Sequence, residues 1–458
     1  MGATATDMLL QAQRLLAQGR APQACAVAVA AQRCAPTDAV LLDAIGTLLS
    51  RANQQRLAAA AYDRAIALAP NNPRFIFNRA AVRRFLGELA GAENDYDRVI
   101  ALRPEDFEAY KNRAELRLQT AERNHTAQLE TLLATNIQDW GGEVELRYAL
   151  AKEYEDLGQY GQSFHHLKLG AQLRRRHLRY DVATDVTTVE WIMRAFPDGV
   201  SAAGAGDHSA TPIFIVGLPR SGSTLLERII GSHSSVVSAG ESHHFALAIV
   251  GEVRRQTGHA ASSRQELIAR AATLDFEALG QDYLARMRAS GIEAPCLLDK
   301  MPLNYLYCGL IRRALPQARI VHVRRDPMAA CYAMYKSLFK DGYPFSYDLR
   351  ELAQYYAGYR RLMSHWEATL PGALLTLRYE ELVAEPADRI RQVLRFCGLE
   401  WEEACADFHL NPAPTTTASA AQVRRRMYDT SIAQWRHYER QLDELRGQLL
   451  AAGVSPDA

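Results

Sequence analysis

Between residues 213 and 224 an apolar run, Ile213 to Val216, gives way to Gly217, and then Gly222-Ser223-Thr224 opens an amphipathic helix through Leu225, Leu226 and Ile229. A strand, a glycine loop and a helix in this order cradle an anion. The glycines let backbone N–H groups turn inward, and the helix start adds its positive dipole end. The nucleotide-hydrolysing version of such a loop reads G-x-x-x-x-G-K-[ST], and Ser223 stands in its lysine position. Inside the loop Arg220 supplies a planar, multi-donor cation suited to a fixed oxyanion. Without the lysine, and with no apolar run ending in a lone Asp, magnesium-triphosphate chemistry is disfavoured.

Three further segments carry groups of the same kind. "CLLDKMPLNY" places Asp299-Lys300 at the end of a second apolar run, where a lysine can serve as a point charge on a transferring group. "RIVHVRRDP" ends a third run with Arg324, Arg325 and Asp326, and two adjacent arginines at a strand's carboxyl end suit an anion. A polar stretch at 415–435, "TTTASAAQVRRRMYDTSIAQW", combines hydroxyls with three arginines and by itself reads as a solvated basic loop.

These groups need a frame. "IFIVG", "CLLDK", "RIVHVRR" and "ALLTLRYE" alternate with helical patterns, which predicts an α/β domain with a central parallel sheet flanked by helices. Ligands of such sheets sit at the carboxyl ends of the strands, where the glycine loop lies. Upstream the pattern differs. Pro36, Pro70 and Pro104 recur at a fixed spacing of 34 residues, each with Ala24, Ala58 or Ala92 before it and a turn former, Gly19, Asn53 or Gly87, before that. Tyr62 and Tyr96 repeat at one further offset, a degenerate unit follows near 108–140, and Ala151, Gly158 and Ser163 restore the pattern. Small residues at helix crossings, a turn and a closing proline describe stacked helix hairpins. They resemble the tetratricopeptide repeat, which implies an α-helical solenoid that binds a protein partner or self-associates. The expected organisation is a repeat domain over 5–180, a connecting helix and linker over 181–210, and the α/β domain over 211–446.

Bulk composition leaves charge arguments local. The 458-residue chain has 53 Lys+Arg against 52 Asp+Glu, so no global field favours nucleic acid. Its seven cysteines show neither C-x-x-C pairs nor zinc-like spacing, and no basic leader or long uncharged apolar window occurs. The expectation is a cytoplasmic protein with free thiols, no transmembrane segment and no metal site.

Taken together, Pro219-Arg220-Ser221-Gly222-Ser223-Thr224 and the later segments resemble the sulfotransferase superfamily, specifically bacterial sulfotransferases fused to tetratricopeptide repeats and related to tyrosylprotein sulfotransferases. The resemblance implies that this loop binds the 5′-phosphosulfate of 3′-phosphoadenylyl sulfate (PAPS), a co-substrate released as adenosine 3′,5′-bisphosphate. The family's general base, eight residues beyond a histidine, falls on Glu241 counted from His233, although as sequence alone that position reads equally as a turn carboxylate. The catalytic lysine falls on Lys300. The transition-state serine, placed by a Q-V pair and a tryptophan, falls on Ser419 with Gln422, Val423 and Trp435. The 3′-phosphate ligands fall on Arg325 and on Tyr379 in "LRYEELV". One position departs from the family pattern: Ala333 stands where a phosphate-binding serine is expected, and Arg424 and Arg425 are candidates to compensate. The family's peptide-reading arginines have no match after Glu241, so tyrosine-peptide specificity does not carry over.

The mechanism so implied is in-line sulfuryl transfer to a hydroxyl of a peptide, glycan, lipid or small molecule, with Glu241 as base and Arg220, Lys300 and Ser419 as donors. Two rival readings stand beside it. A P-loop kinase or phosphotransferase shares the strand, loop and helix, and a non-enzymatic repeat adaptor with a decayed sulfotransferase domain is hinted at by Ala333.

Overall fold

The computed structural model describes residues 4–135, 137–197, 206–294, 296–340, 342–415 and 423–456. Two compact units divide the chain. One comprises residues 1–178, 289–291 and 412–424, and the other 179–288, 292–411 and 425–458.

The first unit is built from helix hairpins. They are α1 (Ala5–Ala17) with α2 (Ala21–Cys34), α3 (Ala39–Arg51) with α4 (Gln55–Leu68), and α5 (Pro73–Leu86) with α6 (Leu89–Leu102). Gly19, Asn53 and Gly87 lie at the three hairpin turns with φ of 77°, 60° and 84°, the left-handed conformation that glycine and asparagine tolerate best. Ala24, Ala58 and Ala92 are fully buried, and Tyr62 and Tyr96 are buried with them. The small side chains let helices approach and the tyrosines fill the space beyond. A shorter pair, Phe107–Ala114 and Thr126–Leu133, precedes a last long hairpin, Trp140–Asp156 and Tyr160–Arg176, whose turn holds Gly158 at φ 72°. This is a tetratricopeptide-type solenoid. Residues 412–424 belong to the same unit: the N–H of Thr415 and the guanidinium of Arg424 both donate to the carbonyl of Phe85, at 3.4 and 3.1 Å. A Cβ on Gly87 would come within 2.7 Å of Arg424 Nε on a side chain that can move aside, so it is the φ of this turn that calls for glycine.

The second unit holds a five-stranded, wholly parallel sheet: β1 (Ile213–Gly217), β2 (Val236–Ser238), β3 (Cys296–Lys300), β4 (Arg319–Arg324) and β5 (Leu374–Arg378), in spatial order β2-β3-β1-β4-β5. Four strands match the expected runs, and the edge strand β2 is additional. Every residue of β1 and β3 is buried, as a strand covered on both faces requires. Ile213 and Ile215 join a cluster with Leu226, Ile229 and Ile390 on one face. Phe214 points the other way, its ring centroid 5.9 Å from that of Phe245 and 5.6 Å from that of Tyr283. The chain leaves β1 toward β2 on one side and returns to β4 on the other, so the order reverses at β1 and β4, and their carboxyl ends open a crevice. Helix Val182–Ala195 packs against the long helix Leu349–Thr369, with the rings of Phe196 and Trp366 at 5.8 Å. Among the described residues no helix is long and apolar enough to cross a membrane.

Candidate active site

The glycine loop leaves β1 at Gly217 and enters the helix Ser223–Ile230 at Gly222, as the spacing predicts. Gly222 has φ 101°, and a Cβ there would lie 2.4 Å from Tyr379 Cδ2. Only glycine therefore lets the Tyr379 ring lie over the loop. Arg220 has φ 66°, a conformation costing a non-glycine residue on the order of 1–3 kcal/mol and concentrated at functional sites. Its carbonyl is held in that orientation by Arg325, whose Nη1 donates to it at 2.9 Å. Pro219, Ser221, Ser223 and Thr224 are buried around it.

Arg325 follows β4 directly and is nearly buried. Its Nη2 donates to the carbonyl of Ser431 at 2.5 Å, its guanidinium carbon stands 4.9 Å from the centre of the Tyr379 ring, and its buried Nε has no hydrogen-bond partner among the described residues. Burial pulls its pKa below the usual arginine value, and the nearby Tyr379, Glu380, Asp326 and Tyr428 oppose that shift. A cation whose hydrogen bonds go to neutral carbonyls in a desolvated place is suited to an anion. Tyr379 begins the helix after β5, and its hydroxyl lies 3.1 Å from Ser431 Oγ. Burial raises the pKa of Tyr428, while Arg220, Arg425 and Arg325 pull it down, so these three arginines share one electrostatic neighbourhood. Ala333 is buried on the helix Pro327–Tyr335, which Asp326 caps by accepting from the N–H of Ala329 at 2.8 Å.

At the end of β3, Lys300 is fully buried, and its Nζ donates to Glu241 Oε1 at 2.5 Å. Glu241 sits in the turn between β2 and the helix His244–Thr257, and its side chain keeps 46% of its exposure. It is thus a turn carboxylate, as the plainer reading expects, but one paired with a buried ammonium and open to an incoming group. Its counting anchor, His233, is buried with Nε2 3.2 Å from the carbonyl of Glu400. Asp299 is buried beside Lys300 and accepts from the hydroxyl of Tyr283 at 3.1 Å. Burial pushes its carboxyl up to about 8, against the Tyr283 and Ser242 donors that favour ionisation.

The structure therefore brings Arg220, the loop residues, Arg325 and Tyr379 together at the ends of β1, β4 and β5, and joins Lys300 with Glu241 at the ends of β3 and β2. Ser419 and Gln422 lie outside the described residues. Val423 and Arg424 belong to the helical unit. Sequence reasoning missed Ser431 and also Glu227, whose Oε2 lies 3.4 Å from Lys300 Nζ, and it named Asp299 without giving it a role. Of these, only Asp299, one residue before an assigned lysine, carried a local signal.

Residues 212–403 match the model of the Sulfotransferase family. An uncharacterized protein of Aquifex aeolicus (strain VF5) is 33% identical over 324 residues, which cover 69% of this chain and 42% of that protein. A putative protein-tyrosine sulfotransferase of Caenorhabditis briggsae is 24% identical over 235 residues, 49% of this chain and 80% of that one. Among solved structures, the sulfotransferase domain of the Synechococcus PCC 7002 olefin synthase aligns with 51% of this chain and 90% of its own, at 19% identity and a TM-score of 0.37. The chain thus spans less than half the length of the Aquifex relative.

Proposed function

Because residues 212–403 match the model of the Sulfotransferase family and follow a tetratricopeptide-type solenoid in the sequence, we propose that this protein transfers a sulfuryl group from PAPS to an acceptor hydroxyl. The observation that carries the reading is the pairing of a half-exposed carboxylate, Glu241, with the buried Lys300, at the same carboxyl end of the sheet as the glycine loop and Arg325.

The residues present fit the co-substrate. Gly222, which a Cβ would drive into Tyr379, keeps the loop open enough for backbone N–H groups to meet an anion. The buried Nε of Arg325, unpartnered among the described residues, is a donor in need of an acceptor, which a 3′-phosphate would provide. Pro219 to Thr224 would hold the 5′ end, and Arg325 and Tyr379 the 3′ end. Arg425 is better placed than Arg424 to make up for Ala333, since it shares the field of Arg220 and Arg325 while Arg424 is engaged with Phe85. When bound, PAPS would supply the sulfuryl group, with adenosine 3′,5′-bisphosphate as the leaving group. Glu241 takes the proton of the acceptor hydroxyl at its exposed carboxylate. Lys300 and Arg220 donate hydrogen bonds where negative charge gathers, and Ser419 is assigned the same role. The helical repeats would hold a protein partner or a second copy of the chain.

The test is cleavage of PAPS to adenosine 3′,5′-bisphosphate, with water or a small phenol as acceptor, in the protein and in Glu241→Gln. Turnover that falls at least about a hundredfold with bisphosphate binding retained supports the base. Unchanged turnover removes it.

A further inference from the structure

Lys300 has a second acidic neighbour that nothing in the reaction so far uses. Glu227, on the helix Ser223–Ile230, places Oε2 3.4 Å from Lys300 Nζ and is itself largely buried. Its other oxygen, Oε1, accepts from Ser238 Oγ at 2.7 Å. That hydroxyl oxygen accepts in turn from the N–H of Gly240 at 3.1 Å, and the carbonyl of Gly240 accepts from the N–H of Lys300 at 3.1 Å. The circuit is closed. It runs from the Glu227 carboxylate through Ser238 and the Gly240 peptide to the Lys300 backbone, then along the lysine side chain back to Glu227. Glu241 is the next residue after Gly240, so the circuit fixes the turn that presents the base as well as the ammonium beside it.

A simple charge count shows why one carboxylate is not enough. Lys300 is fully buried, and an ammonium without a partner in such a place is costly. Under the proposed reaction Glu241 accepts a proton, and its charge is then lost to Lys300 at the moment when the ammonium must serve the transferring group. Glu227 is not in the path of that proton, because it faces Ser238 and the lysine. Among the described residues, the other ionisable groups in this field include Asp299, which interacts with both Glu227 and Lys300, Tyr283, which donates to Asp299, and Tyr343, which interacts with Glu241. Of the carboxylates, only Glu227 and Glu241 lie within ion-pair distance of Lys300 among the described residues.

We infer that Glu227 is a positioning residue for sulfuryl transfer, holding the Lys300 ammonium and, through Ser238 and Gly240, the turn of Glu241, so that Lys300 can leave Glu241 without losing its counter-ion. The inference rests on the reading of Glu241 as base and Lys300 as donor.

Two substitutions separate its two parts. Glu227→Gln keeps an acceptor for Ser238 and removes the charge, whereas Ser238→Ala keeps the charge and opens the circuit. Glu227→Asp is the conservative rescue. PAPS cleavage with water or a small phenol, affinity for adenosine 3′,5′-bisphosphate by calorimetry, and urea unfolding are measured for each, beside Glu241→Gln. Glu227→Gln is expected to slow cleavage on the order of tenfold, the scale seen for outer partners of a functional group. Bisphosphate affinity stays within about twofold, and Glu227→Asp restores part of the rate. A double-mutant cycle of Glu227→Gln with Lys300→Met should be non-additive in the urea midpoint, as for groups in direct contact. An additive cycle, an unchanged rate in Glu227→Gln, or equal losses of rate and bisphosphate affinity would overturn the inference. If Glu241→Gln also cleaves at the full rate, the reading beneath it fails too. An inactive Glu241→Gln beside a fully active Glu227→Gln removes Glu227 alone.

Discussion

The two ends of the candidate site are built on opposite principles. At the ends of β2 and β3, Lys300 lies between Glu241 at 2.5 Å and Glu227 at 3.4 Å, so this end is charged but paired within itself. At the ends of β4 and β5, Arg325 gives its hydrogen bonds to the carbonyls of Arg220 and Ser431 and lies over the Tyr379 ring, leaving Nε without a partner among the described residues. A paired end is prepared to exchange partners during a reaction. An end whose arginine keeps a donor unspent is prepared to bind and keep an anion. The difference teaches which substitutions should alter turnover and which should alter affinity.

The largest effect separates the ends most sharply. Glu241→Gln should lose roughly a hundredfold to ten-thousandfold in turnover, the range for a general base, with bisphosphate affinity unaltered. Steady-state cleavage and calorimetry on the same preparation check this, and a fall in affinity would erase the distinction. Next, Arg325→Ala should weaken bisphosphate binding roughly 10- to 100-fold, as for a hydrogen bond to a charged group, while turnover at saturating PAPS changes far less. Loss of turnover at saturation would mean that this end also takes part in the chemistry.

A third prediction concerns pH at the paired end. Burial raises the Asp299 carboxyl from 3.8 to about 8, so between those values the folded protein keeps a proton that the unfolded chain has lost. Its contribution to stability is full below the lower value and declines as pH rises through the upper one. Asp299→Asn should therefore flatten the fall in urea midpoint between pH 5 and 8, and an identical slope in the variant would contradict the burial account. The smallest effect belongs to the binding end. Ala333→Ser, which returns the hydroxyl that the family pattern expects, should tighten bisphosphate binding by about two- to tenfold, the net value of one hydrogen bond. No gain would indicate that Arg425 already satisfies the phosphate.

Much of this architecture was legible because it rests on local rules. The spacing of Pro36, Pro70 and Pro104, with Gly19, Asn53 and Gly87 before them, encodes hairpins whose turns do adopt positive φ. Four strands announced themselves as apolar runs, and a glycine loop after the first is a pattern with few alternatives. The edge strand β2 was not legible, since Val236–Ser238 is three residues long and only Val236 of it is buried. Glu227 was invisible for a different reason. In "STLLERII" it reads as the polar face of an amphipathic helix, and only the placement of β2 and β3 beside that helix gives its carboxylate two partners. Ser431 is likewise distant in sequence from Arg325 and Tyr379, and folding alone joins them. Pairing across distant segments is what a single sequence does not display.

The most direct test of the central claim is thermal stabilisation of the full chain by adenosine 3′,5′-bisphosphate, beside Mg-ATP and adenosine 5′-monophosphate, with Arg325→Ala as control. At a ligand concentration of 100 times Kd, binding to the folded state adds about 2.7 kcal/mol of stability. The account predicts a shift with the bisphosphate that the control loses. A shift with Mg-ATP instead, or none with any of the three, would contradict it.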